Sequence, residues 1–253
     1  MTAFRLALLS AVLSPSVVQA VGFAHSDNFV VFSPNQSSRS EEKEYAQAVL
    51  RKAELFRQEV AVKWLGERLP DGAGESAIYI DFSASKDRGR TWAIDYPGRE
   101  FHNVYLTTSP ENAIGSTLHH EIVHTVMATA FPHPNRLPPW AEEGIASRYD
   151  DVNRKDTREQ LRRYWVRGQR APNLAQLLEM PDLRSLDESS YAASTSLVSY
   201  LLTLGDEQTI LKFARDGQAF GWDSALRTHY QIDSLQQLQT EWEAWLANNP
   251  GLG

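Results

Sequence analysis

Cysteine is absent from all 253 residues, so the chain can form no disulfide and offers no thiol to a lipid anchor. An excess of positive charge is absent too. The 25 Lys and Arg face 32 Asp and Glu, leaving a formal net charge of −7, with no basic cluster anywhere. That balance excludes nucleic acid as a partner, because binding a phosphate backbone requires a basic face. Long apolar runs are missing as well. The longest, Leu6 to Leu13, is far short of the about 20 residues needed to cross a bilayer, so no integral membrane segment is expected. Repeats, low-complexity stretches and linkers are also lacking, which leaves a single folded unit as the expectation. Roughly 230 residues beyond the N-terminal stretch suffice for a sizeable core.

That stretch has the pattern of a secretory signal. Arg5 supplies positive charge, Leu6 to Leu13 the apolar core, and Val18-Gln19-Ala20 a small-residue cleavage site after Ala20. The expectation is residues 1–20 as a signal peptide and a secreted or periplasmic protein. Asn35-Gln36-Ser37 is a glycosylation sequon, meaningful only in a eukaryotic source.

The most specific chemistry is His120-Glu121-Ile122-Val123-His124. On a helix with about 3.6 residues per turn, His120 and His124 project from one face and can reach one metal ion. Glu121 stands beside them as a general base for a metal-bound water. Leu118, Ile122 and Val126 recur every fourth residue as a buried stripe, and Ser109 with Pro110 supplies a start signal for this helix. A catalytic zinc takes three protein ligands plus water, so a third ligand is expected downstream. Glu143 fits, in Trp140-Ala141-Glu142-Glu143-Gly144-Ile145-Ala146, after prolines 132, 134, 138 and 139 end one helix and start another. Gly144 is expected to let this second helix approach the first. Asp150 or Asp151 is the candidate partner for a ligating histidine. Glu142 reads as a solvated residue favouring the helix N-terminus. His119 points about 100° away from the pair, at the surface or behind it. His25, His102, His133 and His229 read as structural or exposed, with His102 and His133 retained as cleft candidates.

HExxH, eighteen intervening residues and then Glu inside Trp-x-x-Glu-Gly-x-Ala resembles the gluzincin clan of zinc metallopeptidases. The closer resemblance is to small bacterial peptidase-MA-like proteins, from about Ile78 to the C-terminus. It implies a zincin-like α+β fold, a small mixed sheet with an active-site helix plus a helical C-terminal lobe, over one domain at residues 21–253. The α/β lobe would run to about residue 130. The resemblance also implies Zn2+ held by His120, His124 and Glu143, with Glu121 as the catalytic base. Tyr191, opening a helix whose later Tyr200-Leu201 also matches, would be the oxyanion donor. A peptide or protein would be the substrate. Two departures stand out: no Gly-x-Met-x-Asn segment precedes the zinc helix, and Ser147 replaces the aspartate of thermolysin-like enzymes. The first leaves endo- versus exopeptidase action open. The same residues admit a zincin-like binding module without turnover, or a zinc hydrolase of a non-peptide amide such as a cell-wall cross-link. The oligomeric state is not legible.

Strands are expected at Phe29 to Phe32, Ala77 to Phe82, Thr91 to Tyr96 and Asn103 to Leu106. The clan's substrate-edge strand would be Val104 to Thr107, just before the zinc helix. Helices are expected at Glu41 to Leu65, capped by Ser40, and at Asp156 to Val166, Asn173 to Leu178, Tyr191 to Leu204, Glu207 to Arg215, Gly221 to Tyr230 and Ser234 to Ala247. An Asp233/Gln236 capping box starts the last of these, with Trp242 and Trp245 on its apolar face.

Overall fold

Alternating burial along Phe29-Val30-Val31-Phe32-Ser33 marks a strand with one face in the core, and it is the second of five in a mixed open sheet. The computed structural model describes residues 22–33, 39–96, 99–183 and 188–249. The expected signal segment and the Asn35-Gln36-Ser37 sequon lie outside the described residues. No described helix is long and apolar enough to cross a membrane.

Strands β1 (Gly22–His25), β2 (Phe29–Ser33), β3 (Glu75–Phe82), β4 (Arg88–Tyr96) and β5 (Arg99–Thr108) are ordered β1-β2-β3-β5-β4. The hairpins β1·β2 and β4·β5 are antiparallel, while β3 pairs in parallel with β2 and β5. The sheet edge near the site is therefore β4. Val104 to Thr107 lies in the interior strand β5, bonded on both sides, which corrects its expected role as the edge. The crossover from β2 to β3 is α1 (Arg39–Val60), extended by a wider turn over Ala61–Leu65. Its buried stripe, Ala46, Val49, Ala53, Phe56 and Val60, follows helical spacing. Ser40 sits in the first turn of α1 and not at its cap.

The sheet's inner face, Val31, Ile78, Ile80, Val104 and Leu106, belongs to the same core as Leu118, Ile122 and Val126 of α2 (Ser116–Ala130). This helix starts later than expected. Ser109 Oγ instead accepts from Asn112 N at 3.3 Å, at the entry to the short 3-10 turn Asn112–Ile114 that precedes it. The remaining described helices are α3 (Pro139–Ala146), α4 (Val152–Gly168), α5 (Leu174–Leu178), α6 (Glu188–Leu201), α7 (Glu207–Phe220), α8 (Trp222–Tyr230) and α9 (Leu235–Asn248). Pro139 occupies the first turn of α3, where its missing N–H costs nothing. The α9 cap is shifted by one residue: Ser234 accepts from Gln237 N, and Gln237 Oε1 accepts from Asp233 N. Trp242 is fully buried and Trp245 partly so.

Gly144 serves a different contact from the one its sequence position suggests. A Cβ there would lie 2.7 Å from both the Ser194 carbonyl oxygen and Val198 Cγ2, so it is α6, and not α2, that α3 approaches closely. Gly144→Ala is expected to cost about 1–3 kcal/mol by overpacking. A lowered chemical-denaturation midpoint with unchanged slope checks this; an unchanged midpoint would refute the contact.

Candidate metal centre

Two helices and one turn build the centre. His120 and His124 stand one turn apart on α2, with ring centroids 5.1 Å from each other. Glu143, on α3, brings Oε2 to 3.6 Å from His120 Nε2 and 3.7 Å from His124 Nε2. One ligand atom from each of the three residues lies within 4.8 Å of the other two. Tetrahedral ligands about 2.0–2.1 Å from a zinc ion stand about 3.3 Å apart, so a small inward closure completes the geometry. Glu143 Oε2 is buried and has no hydrogen-bond partner among the described residues. An orphaned carboxylate oxygen facing two imidazole nitrogens is the arrangement a cation resolves. The group can hold a metal ion.

The outer nitrogen of each imidazole is already fixed. His120 Nδ1 lies 3.0 Å from Asp150 Oδ1, and His124 Nδ1 lies 2.7 Å from Glu142 Oε1. His124 therefore donates through Nδ1 to Glu142, His120 Nδ1 faces the Asp150 carboxylate at ion-pair distance, and both rings turn Nε2 toward Glu143. Asp150 follows the 3-10 turn Ser147–Tyr149, is almost wholly buried, and is gripped by Arg158 Nη1 at 2.5 Å and Arg154 Nη1 at 3.3 Å. Asp151 instead caps α4 by accepting from Arg154 N. Glu142 is not merely solvated: it supplies the second imidazole's partner. Adjacent glutamates at positions 142 and 143 gave no sequence signal for that division of labour beyond their both lying on the first turns of α3.

The centre is strongly negative, and its titration follows. Burial opposes charge on His120, but Asp150, Glu143 and Glu121 outweigh it and raise the imidazole to about 10. Burial likewise opposes charge on His124, while Glu143, Glu142 and Glu121 raise it to about 9. Burial would lift Asp150, yet His120, Arg158 and Arg154 hold it well below the usual carboxylate range. Glu143 is lowered too, with His124 and His120 overcoming burial. Both imidazoles are thus charged at neutral pH in the metal-free chain, where they take the place of a cation. That pairing contributes stability that is complete below an unfolded imidazole value of about 6.5 and is lost as pH rises through 9 to 10. Metal requires both rings neutral, so uptake at pH 7 is expected to release about two protons. Calorimetry in buffers of different ionisation enthalpy measures this; release of none would contradict the pairing.

Glu121 is buried beside the cluster and turned toward the sheet edge. Thr91 Oγ1, on β4, donates to Glu121 Oε2 at 2.6 Å. Gly89, two residues earlier on the same face of β4, leaves the space the carboxylate fills, since a Cβ there would lie 2.2 Å from Glu121 Oε1. Sequence reasoning missed both residues, because their partnership exists only where β4 packs against α2. The start of β4 is fixed by Asp87, whose Oδ1 accepts from Thr108 Oγ1 at 2.5 Å and Thr117 Oγ1 at 2.6 Å.

A cleft of about 870 Å³ runs over the cluster and is lined by β4, Glu121, Glu142, Glu143 and Tyr191. Tyr191 lies in the first turn of α6, three residues after its start at Glu188, with Arg158 over its ring at 6.0 Å. Burial and the neighbouring Glu143 and Glu188 push its phenol far up, so it keeps its proton at neutral pH. The other histidines stay apart. His119 stacks on Phe56 at 3.9 Å and tilts against Tyr149, with burial, Lys155 and Lys63 lowering it to about 4. His102 is buried, with Nδ1 near Ser76 Oγ and the Gly74 carbonyl. His133 is exposed and His229 pairs with Asp216; neither His102 nor His133 borders the cleft. No family model and no curated protein matches this chain.

Proposed function

We propose that the chain is a zinc-dependent metallopeptidase of the gluzincin type with a zincin-like fold, exported by its N-terminal signal. The observation that carries this reading is the position of Glu121. It sits between a three-residue metal group and the open edge of a sheet, hydrogen-bonded to that edge and not counted among the ligands. A module that only binds has no use for a carboxylate there.

His120, His124 and Glu143 would hold the zinc, with Asp150 and Glu142 fixing the imidazoles. Zinc at this position supplies Lewis-acid polarisation of a carbonyl and makes water a nucleophile at neutral pH. A peptide lies along β4, which has no further strand beside it in the described sheet, and extends that sheet by one strand. Glu121 takes a proton from the attacking water as the water oxygen joins the carbonyl carbon. The same carboxyl then delivers that proton to the departing nitrogen as the C–N bond breaks. Tyr191, protonated at working pH, donates its hydroxyl hydrogen toward the oxygen that gains negative charge.

Tyr191→Phe is expected to lower kcat about 100-fold with little change in KM, as for a contact made in the transition state. An unchanged kcat would leave Tyr191 as a packing residue. The reading as a whole is tested by cleavage of a broad peptide library, with chelation and zinc restoration as controls. Cleavage lost on chelation and regained with zinc supports it. A zinc-loaded chain that cuts no peptide would favour a binding role or a non-peptide amide substrate.

A further inference from the structure

Two cations of the metal cleft have no acid to answer them. Arg88 and Arg90 stand two residues apart on β4, alternating with Gly89 and Thr91, which face Glu121. Successive side chains of a strand leave opposite faces, so both arginines rise from the face of β4 turned away from α2, where both are exposed. The other arginines of the cleft are committed: Arg136 pairs with Glu100, and Arg154 and Arg158 with Asp150. Among the described residues Arg88 makes no ion pair, and Arg90 lies over the Trp92 ring at 4.8 Å. A stacked indole covers one flat side of a guanidinium and leaves its N–H fork free for an acceptor.

Neither arginine finds an acid across the sheet. In register Arg88 faces Thr107 and Arg90 faces Tyr105. Asp81 lies one strand further, beside Thr107, about 9–10 Å from Arg88 at the usual strand spacing. Asp87 is held by Thr108, Thr117 and Arg154. The position that can answer them is the one beyond β4, which ends the described sheet. A strand added there sets every second side chain on the same face as Arg88 and Arg90, with directly opposite Cβ atoms about 4.5–5.5 Å apart. Charges on an edge strand deter pairing, and two of one sign deter above all a second copy of β4. They favour a strand of the opposite sign, because cross-strand ion pairs stabilise and like charges destabilise.

We propose that β4 selects its substrate by charge: the strand it takes is an extended acidic peptide segment with carboxylates two residues apart, one held by Arg88 and the next by Arg90. The inference rests on the reading of β4 as the strand along which a peptide substrate lies. It adds the class of that peptide. Substrate side chains of the other alternation face Gly89, Thr91 and Glu121, so charge is read on one face of the added strand and the chemistry proceeds on the other. A guanidinium offers a carboxylate two parallel N–H donors, which suits arginine to this reading better than lysine.

Three pools of short labelled peptides, random except at two positions two apart that carry Glu, Gln or Lys at both, test this on the zinc-loaded full chain. Cleavage is followed with the parent, and binding by fluorescence anisotropy with the Glu121→Gln variant, so that affinity is read without turnover. The Glu pool is expected to bind and be cut about 3–30-fold better than the Gln pool, and the Lys pool worse than either. The difference should reside in KM, as for contacts remote from the reacting bond, and should shrink as salt is raised. The double variant Arg88→Glu/Arg90→Glu, changed at two exposed positions, should keep the parent's Tm and reverse the order of the Glu and Lys pools. Equal handling of all three pools by a chain that cuts them would overturn the inference and leave the peptidase reading standing. A Glu preference that survives the charge reversal would overturn it too, as would binding of no pool. Preferential binding of the Glu pool by a chain that cuts nothing, reversed in the double variant, would uphold it and count against the peptidase reading instead.

Discussion

Glu121→Gln is expected to retain the metal and lose turnover by about 10²–10⁴-fold, the contribution typical of a positioned general base. The amide is isosteric with the carboxylate. It can still accept from Thr91 Oγ1 and still fits the space left by Gly89, so the local structure has no reason to change. What it cannot do is take a proton. Metal content and thermal stability of the variant should therefore match the parent, with the whole effect in kcat. Turnover equal to the parent would remove Glu121 from the chemistry; loss of metal along with turnover would instead place it among the ligands.

Glu143→Ala should act in the opposite way, on metal first. Glu143 Oε2 is the atom both Nε2 nitrogens face, and without it only two imidazoles remain to hold the ion. A ligand bound only by the folded state stabilises that state by about 2.7 kcal/mol at 100 times its Kd. For a chain of this size that corresponds to a Tm lower by roughly 5–10 °C in the variant when zinc is present. In chelator the gap should narrow without closing, because Glu143 also pairs with both charged imidazoles in the metal-free chain. Full zinc occupancy in the variant would exclude Glu143 as a ligand.

The parts of the centre legible in the sequence are those set by helical spacing. His120 and His124 share a face because they are one turn apart, and the proline run before Trp140 announces the return helix that brings Glu143 back. Asp150 was legible as one of two candidates, and the choice fell to it because Asp151 is consumed in capping α4. What could not be read required knowing which strands are neighbours. Chain order suggests β5 as the edge, since it comes last before the metal helix. β3 instead joins β5 in parallel, and the tight β4·β5 hairpin carries β4 outward. The roles of Gly89 and Thr91 follow from that placement alone. Gly144 was correctly read as a close approach but assigned to the wrong helix, because a missing side chain marks a contact without naming the partner. The strand β1 escaped because four residues carry too little periodicity to register. The α2 start lies beyond Ser109 because the 3-10 turn Asn112–Ile114 intervenes, and the α9 cap passes from Asp233 to its neighbour Ser234, whose hydroxyl accepts from Gln237 N.

The central claim is that His120, His124 and Glu143 form one metal site, and the most direct test is metal content with absorption-edge spectroscopy on the purified chain. The account predicts about one zinc per chain, with two imidazole nitrogens and carboxylate oxygen at about 2.0–2.2 Å. A chain that takes up no stoichiometric metal in zinc-containing buffer, or whose metal shows no imidazole ligand, would contradict it.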